Sequence, residues 1–358
     1  MMGQGLTVKK PEPADLRRLW AKISEEQPGR FPSDIAREIG VSEGELIASR
    51  VGHGAIRLEP RWNELLNALG TLGRVKTVTR NAHAVMEKDG TYPSFQSFQV
   101  HSMFVGDEID LRITLGRWAS VFAYQAPGGV EGSVTRSIQF YGKDGAAVHK
   151  LFLKGEDAAK AFFDLIARFH AEDQSDSLEV AESAARSARE TPIDVAMFLR
   201  DWSELQDTHH FFGLLHKYKV SRLRAMQLAD GRFTRGVSVR SLRLLLESIS
   251  QSEMPVMVFL GNPGCLQIHK GPLKRIVDWK GWLNIMDPEV ELHMKEEAVA
   301  FAWVVEKPTS DGRIRSLELF DAEGGDILSI FGVRKEGKRQ DPVWQETLNV
   351  LPSDGKVS

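Results

Sequence analysis

Two adjacent histidines, His209 and His210, stand in the run Asp207-Thr208-His209-His210-Phe211-Phe212-Gly213-Leu214-Leu215-His216. A neutral imidazole binds metals and moves protons near neutral pH. Asp207 reads as a helix N-cap, which puts His209 in the first helical turn. Helical spacing then places His209, Phe212, Gly213 and His216 on one face. Glycine inside a helix costs about 1 kcal/mol against alanine. Gly213 is therefore expected to mark the close approach of another surface or of a flat ligand. The plain alternative is that these histidines cap or line a helix-packing surface. His209 and His216 are two turns apart, about 10 Å, too far to chelate one ion.

Other chemistry finds less support. His83, His149 and His269 lie in strand-like surroundings and read as surface or satisfied core residues. There is no G-x-S-x-G elbow and no H-E-x-x-H pair. The glycines at 128, 129 and 132 lack a Walker lysine and read as a hairpin loop. Cys265 is the single cysteine, so no intramolecular disulfide or thiolate cluster can form. Residues 34–46 look like a helix-turn-helix, with Ala36, Gly40 and a capping Ser42 suitably spaced. Glu43 and Glu45 would open its reading helix with the wrong sign for phosphate. A DNA-binding regulator stays as a distant alternative.

The elements that hold these residues repeat. Residues 108–112 recur at 289–293, 136–140 at 315–319, Arg80-Asn81 at Gly261-Asn262, and 39–42 at 218–221. The offsets stay between 179 and 181 in unbroken order, which indicates an internal duplication. We read a first repeat over 1–170, an Ala/Ser/Glu-rich linker over 171–191 that allows some helix, and a second repeat over 192–358. Each repeat runs from short helices to strands. In the first, helices are expected at 14–23, 32–39, 42–50 and 61–69, with Ser33 or Asp34 and Ser42 as caps. Ile109, Leu111, Ile113 and Leu115 alternate with polar residues, which puts Arg112 on the opposite face of a strand. Further strands are expected at 119–124, 137–141, 148–153, 298–305, 315–320 and 327–331. Short turns such as Asp144-Gly145 and Gly324-Gly325 join them, so the sheets are antiparallel and the class is α+β.

Composition bounds the rest. With 358 residues, each half is large enough for a core. A net charge of −3 does not favour nucleic acid or an anionic membrane. No apolar run of membrane-spanning length occurs, and the first residues lack the apolar core of a signal peptide. The expected compartment is the cytoplasm.

Several segments together resemble a known family. They are 261–269 (Gly-Asn-Pro-Gly-Cys-Leu-Gln-Ile-His), Trp282-Leu283-Asn284-Ile285, Lys307-Pro308-Thr309 with Asp311-Gly312, and 316–320. Glu108-Ile109-Asp110-Leu111-Arg112 and Asp207-Thr208-His209 belong with them. The chain resembles, over nearly its whole length, the bacterial cytoplasmic haem-utilisation and hemin-degrading proteins of the HemS/ChuS/PhuS type. The resemblance implies two large antiparallel sheets flanked by helices, a haem cleft between the halves, and haem b (iron protoporphyrin IX) as the group bound.

It also implies roles. His209 would be the axial iron ligand, with His210 as a second imidazole that exchanges with it. Arg112 would lie on the distal side, where it holds water or oxygen. Arg222, after Ser221, and Lys307 would pair with the propionates. Phe331 stands where the last strand often supplies a tyrosine. Met86 replaces a histidine of some members, which puts a second haem site there in doubt. His216 is expected to be a solvated helix position. Cys265 lacks the following proline common in thiolate haem sensors. The implied function is haem trafficking in iron acquisition, receiving haem from the cytoplasmic side of an ABC importer and passing it to a haem oxygenase. The alternative is a haem-degrading enzyme. No nucleic acid partner and no membrane insertion are expected.

Overall fold

The computed structural model describes residues 10–98, 102–130, 132–155, 157–182, 192–310, 312–333 and 339–354. The first nine residues, linker positions 183–191 and Asp311 lie outside them. The first half holds α1 (Pro13–Glu26), α2 (Pro32–Ile39), α3 (Glu43–Ala48), β1 (Ala55–Arg57) and α4 (Trp62–Ala68). Strands β2 (Arg74–Arg80), β3 (Ala84–Thr91), β4 (Phe95–Ser97), β5 (Ser102–Phe104) and β6 (Leu111–Ile113) follow. It closes with β7 (Trp118–Pro127), β8 (Val134–Gly142), β9 (Ala147–Leu153) and α5 (Ala158–Phe169).

The second half repeats this order. It has α6 (Val195–Ser203), α7 (His210–Tyr218), α8 (Arg222–Leu228), β10 (Thr234–Val237) and α9 (Ser241–Ser252). Next come β11 (Val256–Gly261), β12 (Cys265–Gly271), β13 (Ile276–Trp279), β14 (Trp282–Asp287) and β15 (Val290–Met294). Last are β16 (Phe301–Thr309), β17 (Gly312–Phe320), β18 (Asp326–Gly332) and α10 (Pro342–Asn349).

Local chemistry sets several of these bounds. Pro32 at the first turn and Gly40 in the left-handed conformation (φ 82°) delimit α2. Neither Ser33 nor Asp34 caps it; Phe31 occupies that position without a side-chain bond. Ser42 and Glu45 form a reciprocal capping box on α3. The strand expected over 109–115 is shorter than its alternation: its regular ladder covers residues 111–113, and Asp110 and Thr114 add single backbone bonds to Ile268 and Gly264 at its ends.

Each half gives three strands to the other half's sheet. The two nine-stranded antiparallel sheets run β1-β7-β8-β9-β2-β3-β15-β14-β13 and β10-β16-β17-β18-β11-β12-β6-β5-β4. The exchange joins Arg112 to Leu266 in one sheet and His293 to Val85 in the other. The repeated asparagines fasten it. Asn81 donates to the carbonyls of Gly261 (3.2 Å) and Ile327 (2.8 Å). Asn262 donates to those of Arg80 (2.9 Å) and Val148 (2.8 Å).

Inner sheet faces build the cores, and both cores mix the halves. Ala84 and Met86 pack with Val258, Leu317 and Ile330, while Cys265 packs with Val75, Phe140 and Leu151. Outer faces are covered only in part. Helices α6–α8 rest on Trp303, Val305 and Phe320, and α3 rests on Phe122 and Tyr141. The rest of each outer face is open. Linker residues 171–182 hold no helix, and Gln174 and Ala181 bond back to Arg57 and Lys143.

Candidate functional site on the outer face of the second sheet

Residues paired across an antiparallel ladder share a face, and alternate residues of a strand return to it. The register runs Lys307 to Ile314 and Ser316 to Phe331, then Glu318 to Ser329 to Phe259 to Ile268, and Leu266 to Arg112 to Met103. Lys307, Glu318, Phe331, Phe259, Leu266 and Arg112 therefore share the outer face. Phe259, Phe331, Leu266 and Met103 are only half-buried, so an apolar floor faces outward beyond the helices. Phe259 and Phe331 meet edge-on with centroids 5.0 Å apart.

At the helical side, buried Glu318 collects the cations. It accepts from Arg222 Nε at 2.6 Å and Nη2 at 3.0 Å, from Lys307 Nζ at 2.6 Å, and from Ser316 Oγ at 3.1 Å. Burial opposes ionisation of Glu318, but Arg222 and Lys307 outweigh it and hold the carboxyl well below the usual range. Burial pushes Lys307 down to about 8 although Glu318 pulls it up. Asp326 also acts on both cations from farther off, so Arg222 and Lys307 stand against two carboxylates. Both cations also touch the ring of Phe211, Arg222 at 5.4 Å and Lys307 at 4.7 Å. Lys307 lies 5.4 Å from the ring of Phe331.

Phe211 follows His209 by two residues, so the start of α7 lies at this cluster, with Phe211 turned in and the histidines turned out. The helix begins at His210, and His209 itself takes the cap position expected of Asp207. Asp207 instead forms a local turn, accepting from the His209 backbone N–H at 2.7 Å and meeting His209 Nδ1 at 2.5 Å. The backbone N–H of His209, then its ring, hold the Asp207 carboxyl below its ordinary value. A carboxylate accepts only, so Nδ1 carries a proton, and in the neutral ring the lone pair sits on Nε2. The His209 side chain is 85 % exposed. His210, Phe212, Gly213 and His216 are exposed as well. No atom stands within 4 Å of a Cβ placed on Gly213, so no protein surface explains that glycine.

Arg112 pairs with Asp110, whose carboxyl is raised by burial against the pull of Arg112. The structure thus gathers Arg222, Lys307 and Phe331 around Glu318, with Arg112 farther along the same face. Glu318 had no role in the sequence reading. Its alternation with Ser316 and Phe320 was the available signal, but a lone carboxylate at such a position usually faces water. The orienting role of Asp207 was also missed.

Other candidates fall away on position. Helix α3 is buried throughout, with Glu43 on Lys150 and Glu45 in its capping box, so it cannot enter a DNA groove. Met86 faces the inner core. His149 is buried between Thr79 and Tyr92, and burial holds it neutral at about 3. Burial pushes the Cys265 thiol up to about 12.

The description "Haemin-degrading HemS.ChuX domain" matches this chain twice, over residues 40–169 and 219–351. The hemin transport protein HmuS of Yersinia pestis is 34% identical over 337 residues, which span 94% of this chain and 96% of HmuS. Holo-PhuS, a heme-binding protein from Pseudomonas aeruginosa, superposes with a TM-score of 0.91 at 38% identity, covering 96% of this chain and 100% of PhuS. The Escherichia coli O157:H7 heme degrading enzyme ChuS superposes at 0.89 with 33% identity, covering 95% of this chain and 100% of ChuS. Two domain matches, one in each half, and kinship along nearly the full length place this chain in the haemin-degrading HemS/ChuX family.

Proposed function

We propose that this protein binds haem on the outer face of its second sheet, with His209 Nε2 as the iron ligand, and hands it on. The carrying observation is the His209 imidazole. Its Nδ1 is anchored by Asp207, its Nε2 has no hydrogen bond among the described residues, and Phe211, two residues on, lies against Arg222 and Lys307. Haem iron takes a neutral imidazole as a proximal ligand, and a carboxylate on the other nitrogen fixes the tautomer. Arg222 and Lys307 supply hydrogen bonds for propionates, which would compete with Glu318 for them. Phe259, Phe331 and Leu266 cover an apolar ring.

The exposed His209 and His210 favour transfer over retention, since an incoming acceptor can reach either. We place the protein in the cytoplasm, receiving haem from an importer's cytoplasmic side and delivering it to a haem oxygenase. Arg112 on the same open face favours one second reading, a haem-degrading enzyme in which that guanidinium donates over the iron. The test of the site is a haem titration of His209→Ala and of His209→Ala with His210→Ala. The single variant is expected to lose affinity or change its visible spectrum as His210 takes over. Wild-type affinity and spectrum in the double variant would remove the site.

A further inference from the structure

Glu318 is fully buried on a sheet face whose next residues are half-open and apolar. An ionised carboxylate without partners would be costly there. Arg222 donates to it through Nε (2.6 Å) and Nη2 (3.0 Å), and Lys307 through Nζ (2.6 Å). Nε and Nη2 form an edge of the guanidinium that grips a carboxylate with two parallel bonds. In this protein that edge is already taken. Asp326 acts on both cations from farther off, so an incoming carboxylate meets no excess of positive charge.

The duplication shows which of these residues belong together. At an offset of 179, Glu43 stands where Arg222 stands, Gln139 where Glu318 stands and Ser137 where Ser316 stands. Ala126 pairs with Thr135 as Lys307 pairs with Ile314, so Ala126 takes the place of Lys307. Where both cations are missing, the acid is missing too. Gln139 is buried like Glu318, at 6% exposed, and its amide nitrogen donates to Ser137 Oγ at 2.9 Å. The fold thus accommodates a neutral amide at this position, and the carboxylate accompanies the two cations.

We infer that Glu318 is a built-in competitor for the carboxylates of bound haem, lowering affinity and speeding release. The inference rests on the proposed haem site and adds its regulation. When the groups that bind a ligand are engaged in the empty protein, apparent affinity falls by the fraction of molecules in which they are free. That suits a protein that hands its cargo on. A purely structural Glu318 predicts the opposite sign, because its loss would unsettle Arg222 and Lys307 and weaken haem binding.

The test uses the full-length wild type and Glu318→Gln, which places the first half's amide in the second half. Each is loaded with haem or with its dimethyl ester at about pH 6, below the value near 8 at which Lys307 titrates. Loss to an excess of an apo-globin is then timed, and urea unfolding checks the fold. Haem loss from Glu318→Gln is expected to slow by about 10-fold or more, the scale of one hydrogen bond to a charged group. Loss of the ester is expected to stay as in the wild type. No change, faster loss from a folded variant, or equal slowing of haem and ester overturns the inference. Should the variant not fold, the wild type decides alone. It is expected to hold haem less than ~10-fold more tightly than the ester, and a larger preference overturns the inference, since the cations would already serve the haem carboxylates in full. His209→Ala/His210→Ala is timed alongside. If it holds haem as the wild type does, the proposed iron ligand falls, and the comparison of haem with ester in Glu318→Gln still judges the competitor.

Discussion

Replacing Asp207 with alanine isolates the orienting carboxylate from the ligand. The change removes the 2.5 Å contact to His209 Nδ1 and the 2.7 Å bond from the His209 backbone N–H. The imidazole then rotates freely at an exposed helix end, and either nitrogen can carry the proton. Loss of such an outer-shell partner costs about 10–100-fold in metal affinity, or about 1.4–2.8 kcal/mol at 1.4 kcal/mol per decade. The lost backbone bond costs a further ~1 kcal/mol of local stability, by analogy with helix caps. Asp207→Asn keeps an acceptor oxygen without the charge and should fall between. The assay is competition for haem with an excess of an apo-globin, read in the Soret band. The iron ligand should stay an imidazole, so the spectrum should change less than the affinity. Wild-type affinity in Asp207→Ala, alongside a large loss in His209→Ala, would refute the claim that Asp207 fixes the tautomer.

Arg222→Ala should cost less stability than the about 3–5 kcal/mol of a buried charge left unpaired, because Lys307 and Ser316 stay on Glu318; urea unfolding reads this, and adding Glu318→Gln should restore part of it. Either Arg222→Ala or Lys307→Ala should weaken haem more than its dimethyl ester; equal losses would remove the propionate pairing. Lys307 titrates at about 8, so it is charged below that pH and haem affinity should fall as pH rises through it, by up to ~10-fold per unit from one linked proton. Lys307→Met should abolish that step, measured by titration from pH 6 to 9.5. Cys265→Ala should leave the haem spectrum unchanged, since the buried thiol stays protonated up to about 12.

Local signals in the sequence carried the elements and some of the faces. Pro32 and Gly40 delimit a helix by fixed backbone preferences, and Ser42 with Glu45 announces the next. Alternation over 109–113 placed Arg112 opposite Leu111 and Ile113, as the structure has it. Alternation reports the face of a strand and not its partner. Nothing in Leu111-Arg112-Ile113 says that it pairs with Cys265-Leu266-Gln267 of the other repeat. That pairing spans more than 150 residues and depends on both sheets being present. The closing helices α5 and α10, and α9 ahead of β11, also went unread, since their apolar stripes adjoin strands of similar composition. At the site, the Asp-x-His spacing made His209 visible, whereas Glu318 gained its meaning only when α8 and β16 brought Arg222 and Lys307 to it.

The carrier reading meets its most direct test in one incubation. The haem complex is mixed with reductant and catalase, with and without a haem oxygenase, and the tetrapyrroles are separated and identified. Catalase removes free peroxide, which attacks haem without specific catalysis. The account predicts little ring opening by this protein alone and rapid movement of haem to the oxygenase. Sustained, catalase-resistant turnover to one tetrapyrrole isomer, lost in Arg112→Ala, would contradict it and make the protein an enzyme.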